Sequence, residues 1–68
     1  MKMLGKVIEY SEKDLMGYIE GLDDIVYIFH QNQVNNNEKL ELGDLVEFNF
    51  MLRGDKNMPY ATDIEKRS

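Results

Sequence analysis

Apolar and polar positions alternate in short bursts along this chain, and polar or glycine-bearing turns separate the bursts. Lys6-Val7-Ile8-Glu9-Tyr10 follows a glycine and is rich in β-formers, so it predicts a first strand. The polar Ser11-Glu12-Lys13-Asp14 reads as a turn. Met16-Gly17-Tyr18-Ile19-Glu20 resumes the extended pattern, with Gly17 marking a close backbone approach or a bulge. Gly21-Leu22-Asp23-Asp24 supplies a second turn, and Ile25 to Phe29 is a β-branched and aromatic third strand that runs up to His30. Short segments spaced this evenly predict an antiparallel meander.

The texture then changes. Gln31 to Glu38 is almost wholly polar and predicts a long surface loop, with room for a single helical turn within His30 to Val34. Leu45 to Phe50 alternates Val46, Phe48 and Phe50 with Glu47 and Asn49, the pattern of a half-buried strand. Arg53-Gly54-Asp55-Lys56-Asn57 reads as a charged hairpin loop leading to a last strand from Pro59 to Ile64. Pro59 fits only at the start of that strand or at an edge, because it has no N–H for the ladder. Five short strands without a persistent helix favour a closed or nearly closed barrel, since closure removes exposed edges. The expected core is Val7, Ile19, Ile25, Val46, Phe48 and Ile64.

Composition narrows the functions open to such a barrel. The chain has 68 residues, enough for one domain covering residues 1–68, which at this size buries only about 60% of its unfolded surface. It has no cysteine and one histidine, which excludes disulfides and thiolate zinc sites and disfavours a histidine-built metal centre. No apolar run approaches the ~20 residues needed to span a bilayer, so a soluble, cytoplasmic protein is expected. The formal charge of −5 opposes strong non-specific attraction to phosphate. From Asp14 to Phe50 the chain carries eight acids and one base, Lys39, while the other cations lie nearer the two ends. A first and last strand brought together would gather them on one side. No nucleophile–base arrangement or phosphate-cradling glycine loop is present, so neither enzymatic activity nor a cofactor is expected. The scattered methionines read as gap-fillers.

The order of these segments resembles the bacterial cold-shock domain over Leu4 to Lys66. Gly5-Lys6-Val7 is similar to that family's opening Gly-Lys-Val, and Ser11-Glu12-Lys13 to the Ser-Glu-Lys before its first RNA-binding motif. Gly17-Tyr18-Ile19-Glu20 resembles the motif's Gly-Phe-Ile-Glu ending. Asp23-Asp24-Ile25 and the aromatic run after it stand where the family has its second motif, usually Asp-Val-Phe-Val-His. Leu40, Gly43, Val46 and Phe48 follow its Leu-x-x-Gly-x-x-Val-x-Phe, and Pro59, Ala61 and Ile64 echo its closing Gly-Pro-x-Ala-x-x-Val. The resemblance implies an all-β, five-stranded antiparallel OB-type barrel that binds single-stranded RNA or DNA, as an RNA chaperone or regulator.

Departures from the family fall on the binding surface. Ile8-Glu9-Tyr10 stands where the family usually has Lys-Trp-Phe, so a carboxylate replaces a stacking ring. The first motif is one residue longer than usual and puts the aliphatic Leu15 near its first ring position, the extra residue either bulging the strand or lengthening the turn. The second motif aligns two ways. Without a gap, Val26, Ile28 and Phe29 meet the family's Phe, His and Phe; with one insertion, Tyr27 takes the aromatic place and His30-Gln31 meets a His-Gln. A one-residue slip exchanges which side chains face out. Tyr60 adds a ring in the last strand.

Two readings follow. In the first, bases stack on Tyr18 together with Tyr10, Phe29 and either Tyr27 or His30, while Lys6, Lys13 and Lys56 meet the phosphates of a modestly bound single strand. The protein would act as a monomer without a metal, a cofactor or a membrane. In the second, a barrel of the same fold has lost nucleic-acid binding and docks a protein through an apolar patch containing Leu15, Val26 and Ile28.

Overall fold

The computed structural model describes residues 2–51 and 59–67. Five strands appear where the alternation places them: β1 (Met3–Ser11), β2 (Met16–Gly21), β3 (Val26–His30), β4 (Leu45–Met51) and β5 (Tyr60–Lys66). They close into a barrel in the order β1-β2-β3-β5-β4. Four of the five contacts are antiparallel, but β3 and β5 pair in parallel through Ile28 and Tyr60. This corrects the expectation of an antiparallel barrel, and the reason is topological. An odd number of strands cannot alternate direction around a closed ring, so at least one neighbouring pair must run parallel.

Val7, Ile19, Val46, Phe48 and Ile64 fill the interior as expected, joined by Tyr27, Phe29, Val34, Leu40 and Ala61. Ile25 does not belong to the core and is 42% exposed. Its N–H donates to Asp23 Oδ1 at 3.0 Å within a turn that puts Asp24 at φ = 65°. The turn therefore claims Ile25, and the inward alternation of β3 starts two residues later at Tyr27.

The polar tract after β3 forms two single 3₁₀ turns, Gln31–Gln33 and Asn35–Asn37, the first at the place where one helical turn is expected. The tract is more than a surface loop. Val34 between the turns is 5% exposed and bridges Ile64, so it plugs the barrel. Asn35 Nδ2 donates to Asp63 Oδ1 at 2.7 Å, Asn49 Nδ2 to Asp63 Oδ2 at 3.2 Å, and Lys2 Nζ stands 3.3 Å from Asp63 Oδ2. Asp63 itself sits at φ = 51°, in β5 where the register with β4 shifts between Glu47 and Asn49. One carboxylate, itself within the β5 bulge that sets Asp63 and Ile64 against Phe48, thus fastens the asparagine tract, β4 and Lys2 together. Leu40 enters the core ahead of a turn in which Gly43 adopts φ = +89°, a conformation that disfavours side chains.

Candidate nucleic-acid interface

Register decides which rings reach the surface. Between β1 and β2, Val7 faces Ile19 and Glu9 faces Tyr18, with Ile8 as the extra residue of a bulge. The irregularity anticipated at Gly17 lies instead on the facing strand. Gly17 serves the close approach: a Cβ there would collide with the Glu9 carbonyl and press on the Phe29 ring at 3.0 Å. After the bulge Tyr10 pairs with Gly17 and turns toward the core. Its ring lies nearly parallel to Phe29 at a centroid separation of 6.0 Å, and its hydroxyl donates to Gln31 Oε1 at 2.9 Å.

On β3, Tyr27 and Phe29 are fully buried, whereas Val26 and Ile28 are half-buried and His30 is exposed. The outward residues of the strand are therefore Val26, Ile28 and His30. This removes Tyr27 and Phe29 from the set of surface stacking residues and leaves Tyr10 half-buried, packed against the core. Tyr27 packs edge-on to Phe48 at 5.1 Å and donates its hydroxyl to Asp23 Oδ2 at 2.6 Å. Burial, then the bond to Asp23, pushes the Tyr27 hydroxyl up to about 12, and the same bond holds Asp23 below the usual aspartate value.

The outer face retains an ordered set of side chains. Cross-strand partners make a row of Glu9, Tyr18, Ile28 and Tyr60 over β1, β2, β3 and β5. A second row joins Ser11, Met16 and His30, and a third joins Lys6, Glu20 and Val26. Tyr18 and Tyr60 are both half-buried, each presenting part of its ring. With neighbouring strands ~4.8 Å apart and Ile28 between them, the two tyrosines stand on backbones roughly 10 Å apart. His30 borders two hollows, one of about 200 Å³ shared with Tyr60, Gln33 and Thr62, the other of about 440 Å³ shared with Leu15 and Asn37.

Charge on this face is mixed. Lys6 on β1 and Lys13 in the β1–β2 turn are exposed and carry no ion pair among the described residues. Glu9 and Glu20 are exposed beside them. Other cations are engaged: Lys39 with Glu12 at 3.1 Å, Lys66 with Asp44 at 3.4 Å and Arg67 with Glu47 at 3.4 Å. Lys56 lies outside the described residues. Leu15 occupies the turn before β2 at φ = 54°, 55% exposed, and β2 itself carries no bulged residue.

The structure thus places Tyr18, His30 and Lys6 on the outer face, with Lys13 in the adjoining β1–β2 turn, and adds Met16 and Tyr60 to the set. The signal for Tyr60 was its place one position before the small Ala61, whose inward position leaves Tyr60 pointing out. Among the described residues no group of three acidic or histidine side chains could hold a metal ion, and no helix is long and apolar enough to cross a membrane. Compared with known proteins, the chain matches no family model and no curated sequence.

Proposed function

We propose that this barrel binds single-stranded RNA or DNA on the outer face of β1, β2 and β3, extended by β5. The observation that supports the reading best is the cross-strand row from Tyr18 through Ile28 to Tyr60, with His30 beside it. Bases stack on the two tyrosines and against His30, and an aromatic face contributes ~1–3 kcal/mol per base. Lys6 and Lys13 meet the phosphates. With Lys6 and Lys13, unpaired among the described residues, set against Glu9 and Glu20, electrostatic attraction is small and stacking carries most of the affinity. The expected complex is weak, shows little salt dependence and has no strong sequence preference. A role in keeping transcripts single-stranded in the cytoplasm fits such a site.

Titrating pyrimidine-rich single strands into the protein at low salt tests this reading. Binding that Tyr18→Ala weakens by about 5- to 150-fold supports it, that range being the same 1–3 kcal/mol. Absence of binding, or binding indifferent to Tyr18→Ala, overturns it. The second reading, a barrel that docks a protein, is favoured by one specific observation: Glu9 stands directly across from Tyr18, where it repels phosphate and cannot stack. On that reading Leu15, Ile28 and Val26 contact the partner, and oligonucleotides produce no response.

A further inference from the structure

The bulge in β1 decides which side chain stands beside Tyr18. Val7 faces Ile19, so without an extra residue Ile8 would face Tyr18; the register shift carries Glu9 there instead. Directly opposed residues on antiparallel strands hold their Cβ atoms about 4.5–5.5 Å apart, which brings the Glu9 carboxylate within reach of the edge of a base stacked on Tyr18. The backbone beneath it is fixed, because Gly17 lets β2 pass against the Glu9 carbonyl where any Cβ would collide. The Glu9 side chain is exposed and has no hydrogen bond or ion pair among the described residues. Ile28, on the other side of Tyr18 in the same row, has no polar side-chain atom. Glu20, two residues along β2, faces Lys6. A free carboxylate is thus the hydrogen-bonding group set directly across from the stacking ring.

We propose that Glu9 reads the edge of the base stacked on Tyr18 and selects guanine there. Guanine selection rests on the single-strand binding proposed above and goes one step beyond it, to the identity of one base. A carboxylate offers acceptors only, on two oxygens side by side. Guanine alone among the common bases sets two donors side by side on its Watson–Crick edge, N1–H and the N2 amine, and both can donate to one carboxylate. Adenine and cytosine place a ring-nitrogen acceptor next to their single amine. Uracil and thymine flank their one N–H with two carbonyls. Each of these three patterns turns a lone pair toward the carboxylate. The charge that repels a phosphate is therefore suited to the neutral edge of guanine, and the same Glu9 that weakens general binding gives one position its selectivity. Selection is confined to the base on Tyr18 and leaves the rest of the strand unread.

Fluorescence anisotropy of the whole chain at low salt tests it, with a short oligothymidine and the same strand carrying guanine, adenine or inosine at its centre. Inosine keeps the guanine ring system and its N1–H but lacks the N2 amine, so stacking is matched and one donor is removed. The guanine strand is expected to bind about five- to tenfold more tightly than the adenine and inosine strands. Glu9→Ala is expected to reduce that ratio below about twofold while the oligothymidine still binds. Glu20→Ala removes the same charge from the same face and is expected to keep the ratio. A wild-type protein that binds all four strands alike, or a guanine preference that survives Glu9→Ala, overturns the proposal and leaves single-strand binding in place. A preference that Glu20→Ala abolishes equally also overturns it. Failure of every strand to bind overturns the reading beneath it, and guanine selection falls with that reading.

Discussion

The two sides of β3 divide its residues by burial. Tyr27 and Phe29 point inward, where they touch Phe48, Phe50 and Tyr10, and neither has measurable exposure. Val26, Ile28 and His30 point outward, and only the last is polar. The strand that looks most like a stacking platform in sequence thus places its rings in the core and shows two aliphatic residues and a histidine to solvent. What remains for stacking comes from neighbouring strands, Tyr18 on β2 and Tyr60 on β5. A ring in a strand is a candidate for base binding only on the outer parity of the pleat, and in this barrel that parity follows from the bulge in β1 and the turn before β3.

The comparison is broken most severely from the inside. Phe29→Ala removes a ring from the middle of the core and is expected to cost about 3–5 kcal/mol, a large share of the stability available to a chain this small. Chemical denaturation measures it, and a loss below ~1 kcal/mol means that the ring is not buried as described. From the outside, Tyr18→Ala is expected to change stability by less than about 1 kcal/mol while removing ~1–3 kcal/mol of single-strand binding. Calorimetry of the variant, folded and titrated in the same buffer, separates the two effects.

A smaller effect sharpens the inner side. Tyr27→Phe keeps the ring and deletes the bond to Asp23, for an expected cost of about 1 kcal/mol. The same substitution predicts a pH signature. The folded hydroxyl titrates at about 12 against an ordinary value of 10.0, so the unfolded chain releases this proton first. Wild-type stability should therefore fall as pH rises from 10 toward 12, and Tyr27→Phe should flatten that part of the curve. At the acidic end the sign reverses. Asp63, held below its ordinary 3.8 by the Asn35 amide and then by Lys2, favours the fold above that value and loses its contribution as pH falls below it. Asp23 behaves the same way through Tyr27. Thermal melts across pH 2 to 5 check the direction, with Asp63→Asn expected to remove part of the acid-dependent loss.

The smallest expected change is a gain. Leu15 holds φ = 54° with a bulky side chain, a conformation that costs an L residue roughly 1–2 kcal/mol. Leu15→Asn relieves part of that cost and is expected to stabilise the fold by about 0.5–1 kcal/mol, seen as a rise in Tm of a few degrees. No gain would mean that the exposed Leu15 side chain is held by a contact worth as much as the strain.

Strand positions were legible in the sequence because polar turns bracket each apolar burst, and β4 in particular alternates without ambiguity from Val46 to Phe50. The facing of β3 was not. Ile25 to Phe29 is an unbroken apolar run, so a period of two has no polar residue to anchor it, and both parities look equally buried. The inward lean of Tyr10 is hidden for a related reason: the bulge at Ile8 reverses parity after Val7 and leaves no mark in composition. The plug made by Val34 was hidden within a polar tract, where one apolar residue among asparagines is not a pattern. Tyr18 needed none of this information, since Ile19 beside it is an unambiguous core residue and fixes its neighbour outward.

The central claim is that bases meet the outer face while the inner rings hold the barrel. Backbone amide shifts, followed as a pyrimidine-rich single strand is titrated into the isotopically labelled protein at low salt, test it most directly. The account predicts shifts concentrated at Met16, Tyr18, Ile28, His30 and Tyr60, with Leu4 and Leu22 at the far end unmoved. Shifts centred on Leu4 and Leu22, or none at any residue, would contradict it.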